Sequence, residues 1–204
     1  MKTIARPHQP RLHEGVVPVT PAADRGDGAH TTTKTFRYLA AALRIALGWT
    51  FLWAFLDKTF GLGFATGRNP ETGAVKVFGP DAWLNGGSPT LGFLKFGTIG
   101  PLAGFYQSFA GATWADYLFM IGLAGIGIGL TFGIAMRLST ISAVAMLVLM
   151  WSATLLPANN PFLDDHLIYG IAALALLAVG AGHTLGLGKA WDKLTIVRNH
   201  PILK

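Results

Sequence analysis

Residues 37–58 read RYLAAALRIALGWTFLWAFLDK, and between Tyr38 and Leu56 the only charge is Arg44. An apolar run of about 20 residues is what a helix needs to cross a hydrocarbon layer about 30 Å thick. Three further runs share this character. The second covers Tyr117–Met136 (YLFMIGLAGIGIGLTFGIAM) and is ended by Arg137; the third covers Leu138–Leu156 and is closed by Pro157; the fourth covers His166–Leu185. Inside lipid every backbone polar group must bond within the segment, so such runs are helices. The predicted fold is an all-α membrane protein, a four-helix transmembrane bundle.

The composition agrees. The chain of 204 residues is 51% hydrophobic and only 13% charged, where a soluble domain carries about 25% charge. The net charge of +6 does not point to nucleic acid, because the cations flank the apolar runs. Lys2, Arg6, Arg11, Arg25, Lys34 and Arg37 precede the first run, Arg137 sits between the second and third, and Lys189, Lys193, Arg198 and Lys204 follow the fourth. The loop between the first two runs has Lys58, Arg68, Lys76 and Lys95, thinly spread. The positive-inside rule therefore predicts both termini in the cytoplasm. The chain divides into a disordered cytoplasmic tail (1–36), with no apolar run of a signal peptide, a membrane domain (37–188) whose loop 57–112 lies outside, and a basic cytoplasmic tail (189–204). Without cysteine there are no disulfides, thiol chemistry, iron–sulfur clusters or cysteine-bound zinc.

The long loop is the unusual element, since loops of this length more often serve function than connection. Its first half is rich in glycine and proline. Its second half, LGFLKFGTIGPLAGFYQSFAG (91–111), is apolar but broken by Gly92, Gly97, Gly100 and Pro101. Pro101 suits a helix first turn, and Leu102, Phe105, Tyr106 and Phe109 then share a face at helical spacing. An amphipathic helix is predicted here, at the outer membrane surface or capping the bundle. Trp83 reads as an interfacial anchor.

The candidate functional residues follow from polarity in an apolar setting. Arg44 lies about 10 Å inside the first span by helix rise; it either snorkels to the cytoplasmic surface or binds an acidic or quinone-like group in the interior. Asp57 and Lys58 close the first span and read as a solvated helix end or as pocket lining, with Trp53 on the neighbouring stripe. Asp116 opens the second span, where a carboxylate suits the helix dipole and caps. Asp164 or Asp165 caps the fourth, followed by His166. Asp57, Lys58, Asp116 and His166 all fall on the outer side, placing them to form a proton-relaying polar cluster. His183 falls at the opposite end of the last predicted helix and reads as a helix end. Gly125, Gly129 and Gly133 repeat every four residues and predict a helix-packing seam, either within the bundle or with a partner. No nucleotide loop, zinc signature, nucleophile motif or bis-histidine haem pair is present, so no metal site, haem or covalent cofactor is expected.

The runs LRIALGWTFLWAFLDK (43–58), IGLAGIGIGLTFGIAMRLSTISAVAML (121–147) and NPFLDDHLIYGIAALALLAVGAG (160–182) resemble, in order and spacing, the helices of the DoxX/DoxD membrane proteins. The likeness covers about Arg37 to Trp191, at positions including Arg44, Gly48, Lys58, Gly122, Gly129, Arg137, Asp165, His166 and Tyr169. Asp116 matches the family's second-helix acid only loosely, and His183 departs from the pattern. The resemblance implies a four-helix bundle in a prokaryotic cytoplasmic membrane. Its DoxD branch is similar to the small subunit of thiosulfate:quinone oxidoreductase, which implies a quinone ligand, with Arg44, Trp53 and Tyr169 as binding residues. Two functions are expected from it: a redox-complex subunit passing electrons to quinone, or a non-catalytic accessory subunit packed against a larger respiratory or redox assembly. Membrane lipid and a protein partner are the expected contacts. A transporter fits poorly, lacking broken spans or an internal repeat.

Overall fold

The computed structural model describes residues 26–157, 160 and 162–204, with side chains from residue 33 onward. Among them every regular element is helical, and β pairing is confined to one isolated bridge between Arg68 and Val75. Helix α1 is Gly26–Phe60, α2 Ala103–Gln107, α3 Thr113–Phe132, α4 Met136–Ala153, α5 Asp165–Ala178, α6 Gly188–Trp191 and α7 Thr195–Asn199.

Helix α1 packs on α3, α3 on α4 and α4 on α5, and α5 returns to α1. Leu47 and Phe51 of α1 meet Met120, Leu123, Ile126 and Leu130 of α3, Ala143 and Leu147 of α4, and Ala173 and Leu176 of α5 in one core. The opposite helix faces are equally apolar and bare: Leu43, Leu118, Ile121, Ile141, Leu149 and Ile171 are all exposed. A helix apolar all round needs lipid on its outer face. Three helices, Thr33–Phe60 within α1, α3 and α4, are long and apolar enough to cross a membrane, and the chain reads as a membrane protein with lipid against them.

The fourth predicted span is shorter than its apolar run. Helix α5 has 14 residues and rises about 21 Å, short of a full crossing by itself. It stops because Gly180 takes a left-handed conformation (φ +63°) and the chain turns into a 3-10 helix at Ala181–His183. The other boundaries shift by a few residues. The tail prediction for 1–36 changes more: Gly26–Phe36 belongs to α1, and residues 1–25 lie outside the described part. Residues 189–204 also fold back on the bundle. Val197 is fully buried, the Trp191 indole donates to Leu203 O (2.6 Å) and Arg137 donates to Pro201 O (3.2 Å) and, through its backbone N–H, to Lys204 O (2.7 Å).

Within the bundle the three glycines do not form one seam. Gly125 faces open space, and Gly133 lies beyond α3 as its left-handed cap (φ +69°). The close approach of α1 and α3 is made by Gly48 and Gly127. A Cβ on Gly48 would fall 2.4 Å from Thr131 N, and one on Gly127 would fall 2.6 Å from Leu52 N. The two antiparallel helices thus interlock through two i, i+4 pairs, Gly48–Leu52 and Gly127–Thr131, each glycine admitting the partner backbone. Gly129 packs against Ser139 at the start of α4, and Gly133 lies against Gly182 in the turn after α5.

Candidate functional site

Two polar centres lie at opposite ends of the bundle. At the end where α3 stops, Arg44 is fully buried, so it does not snorkel. Its guanidinium donates to Leu130 O, Thr131 O (2.8 Å), Thr184 O (3.4 Å) and Leu185 O (2.8 Å). The first two carbonyls belong to the last turn of α3, where helix carbonyls lack intrahelical partners and the dipole favours a cation. Arg44 therefore ties α1 to the end of α3 and to the turn after α5. This is a structural clasp formed with backbone oxygens; among the described residues no carboxylate takes part. Arg37 adds a weaker tie one level out, to Thr184 Oγ1 (3.3 Å). Beside the clasp is a cavity of about 210 Å³ lined by residues that include Arg137, His183, Trp191 and Asp192, with His183 Nε2 2.8 Å from Asp192 Oδ2. By sequence alone His183 reads only as a helix end. Its partner lies nine residues on, across a turn that no short-range pattern reveals.

At the loop end, Asp57, Asp116 and His166 are each held by their own neighbourhood. Asp57 is 1% exposed, and its two oxygens accept separately from Phe64 N (3.0 Å) and Ala65 N (2.8 Å). The chain leaving α1 is thereby bent back over the helix end, where Phe64 meets the Trp53 ring edge-on at 5.0 Å. Asp116 is 7% exposed, and one oxygen, Oδ1, accepts from Ser88 Oγ (2.9 Å), Thr90 N (3.0 Å) and Thr90 Oγ1 (2.6 Å). The two carboxylates therefore pin the two ends of the loop's polar half, near Phe64 and near Ser88–Thr90. A buried carboxylate with several N–H and O–H donors recovers what desolvation costs.

Between the pins, Arg68 donates to Gly63 O (2.7 Å), Phe78 N donates to Phe60 O (2.7 Å), and Trp83 stacks edge-on against Tyr117 at 5.2 Å. Asp164 caps α5 by accepting from Leu167 N (3.2 Å), and its other oxygen holds His166 Nδ1 at 2.6 Å. Lys58 is partly buried and, among the described residues, forms no hydrogen bond or ion pair. Tyr169 is exposed on α5.

No hydrogen bond or ion pair among the described residues links Asp57, Lys58, Asp116 and His166. They share one end of the bundle, and each carboxylate is bonded to its own segment of chain. The predicted amphipathic helix is reduced to the five residues of α2, with Tyr106 buried and Phe105 and Leu102 exposed. No three His, Asp or Glu side chains converge as metal ligands among the described residues.

Compared with family models, with curated protein sequences and with solved structures, the chain has no match.

Proposed function

We propose that this chain is a membrane-embedded accessory subunit of a larger redox assembly, with its loop as the docking face for a partner. The single observation that carries the reading is the use made of the two buried carboxylates. Asp57 and Asp116 are bonded to loop backbone and hydroxyl groups, so their charge serves to hold a shaped loop over the helix ends. A loop so fixed presents Arg68, Glu71 and Lys76 outward at little further entropic cost on binding. The likeness to DoxX/DoxD proteins supplies the redox context, and the Lys/Arg bias supports termini on the cytoplasmic side.

The test is purification of a tagged chain from its own membranes. The expected result is stoichiometric recovery with a protein bearing a visible redox group, lost on Glu71→Lys with Lys76→Glu. Recovery of the chain alone, or of a partner indifferent to the loop charges, would refute the reading.

A second reading has one observation in its favour. Lys58, partly buried at the helix end with no hydrogen bond or ion pair among the described residues, is available to hold a quinone carbonyl at the membrane boundary. Quinone reduction by the complex, driven by thiosulfate and lost in Lys58→Gln with assembly intact, would favour this reading; unaltered activity would remove it.

A further inference from the structure

We infer that the apolar half of the loop, residues 91–112, lies within the lipid interface as a strap beside α3 and α4, its outer face against lipid and not water. Three observations converge on this.

The first is depth. Ile99 N donates to Ala153 O (3.0 Å), the last residue of α4, and the Tyr106 hydroxyl pairs with Ser152. Leu94 and Tyr106 pack with Ala115 and Ala153. The strap is thereby held at the level where two spanning helices end, the layer in which aromatic side chains of membrane proteins gather.

The second is the sidedness of the strap. Its inner residues are buried in that cluster, while Phe96 is 77% exposed, Phe105 64% and Ile99 49%. Its one charge is Lys95, whose Nζ lies 5.4 Å from the Phe96 ring centre, a stem long enough to carry its ammonium to the headgroups.

The third is polar satisfaction. Thr90 donates to Asp116, Thr98 Oγ1 to Leu94 O (2.9 Å), Gln107 to Thr98 Oγ1 (3.3 Å) and Ser108 Oγ to Phe105 O (2.6 Å). Inward bonding of this kind meets what polar groups need where water is scarce. The loop's other half, with Arg68, Glu71, Lys76 and Asp81, has the composition of a surface in water.

The chain has no native cysteine, so single nitroxide labels are placed by Phe96→Cys, Ile99→Cys and Phe105→Cys. Lys76→Cys marks the polar half, and Leu118→Cys, on the exposed face of α3, marks lipid. The proteins are reconstituted in phosphatidylcholine–phosphatidylglycerol vesicles. Collision rates are measured with oxygen, which partitions into lipid, and with a neutral nickel chelate, which stays in water. The strap labels are expected to match Leu118, with the oxygen rate several-fold above the nickel rate, and Lys76 to show the reverse. Strap labels as open to nickel as Lys76 would overturn the inference, as would labels shielded from both reagents, which would mean cover by a second copy. Three independent strap sites keep the result decisive if one variant fails to fold.

Discussion

Adding a single methyl group at Gly48 should loosen the bundle, and the structure gives the size of the effect. The new Cβ would lie 2.4 Å from Thr131 N, 2.6 Å from Thr131 Oγ1 and 2.8 Å from Leu130 C. Two of these are backbone atoms of α3, which no rotamer change can move aside. Ordinary contact starts near 3.4 Å, so α1 and α3 must part by about 1 Å, and such overpacking costs roughly 1–3 kcal/mol. The shift acts on a second interaction. Arg44, one turn before Gly48, donates to Thr131 O at 2.8 Å, and a further ~1 Å takes that bond beyond useful reach. A lost hydrogen bond to a charged group adds about 1.5–3 kcal/mol, for a total of roughly 2.5–6 kcal/mol.

The assay is reversible unfolding in mixed detergent micelles followed by far-UV circular dichroism, comparing Gly48→Ala, Gly127→Ala and Gly125→Ala. Gly127 should behave like Gly48, since its Cβ would meet Leu52 N at 2.6 Å. Gly125 has nothing within 4 Å, and the better helix propensity of alanine should leave its variant unchanged or stabilised by up to ~1 kcal/mol. Equal losses at Gly125 and Gly48, or no loss at Gly48, would refute the interlock and restore the every-fourth-glycine seam.

The remaining predictions concern the polar ties. Arg44→Met should destabilise by more than about 3 kcal/mol in the same assay, because the clasped carbonyls are left buried without a donor; Arg44→Lys should recover only part, since an ammonium cannot span two separated turns. Asp57→Asn should be harmful and Asp116→Asn mild, although both remove one charge. Asp57 uses both oxygens, and an amide keeps only one acceptor, whereas Asp116 takes all three bonds on Oδ1, which an amide retains. Hydrogen exchange should speed at Phe64 and Ala65 in the first variant and stay near wild type at Thr90 in the second; the reverse pattern would contradict the pinning. Trp191→Phe removes the bond to Leu203 O and should make the segment after α7 more sensitive to protease, with the melting of the bundle unaffected.

The apolar runs told most of the architecture before any coordinates. Length and lack of charge are local properties, and the requirement that lipid-immersed backbone bond to itself converts them directly into helices. The cap on α5 was legible for the same reason, because Asp164 and Leu167 lie within one turn. Where the reading failed, the deciding partner was distant in sequence or the conformation was set by a turn. The last run ends early at Gly180, and the first helix begins earlier than its apolar stretch. Gly125, Gly129 and Gly133 are equivalent by spacing, yet Gly125 meets nothing within the bundle, and the close approach of α1 to α3 falls at Gly127 instead.

Sequence by itself determined that Arg44 is a charge inside a span and that Asp57 and Asp116 stand at span ends. Only the tertiary structure decided what those charges do. An arginine in lipid demands acceptors, and here four backbone carbonyls from two turns converge on it, so it is a clasp. Two carboxylates at one end of a bundle suggest chemistry, but each is already engaged by N–H and O–H groups of the loop. The physical reason is the same for all three. A buried charge specifies that it must be satisfied, while the identity of the satisfying groups depends on where remote chain segments return, and local sequence carries no record of that.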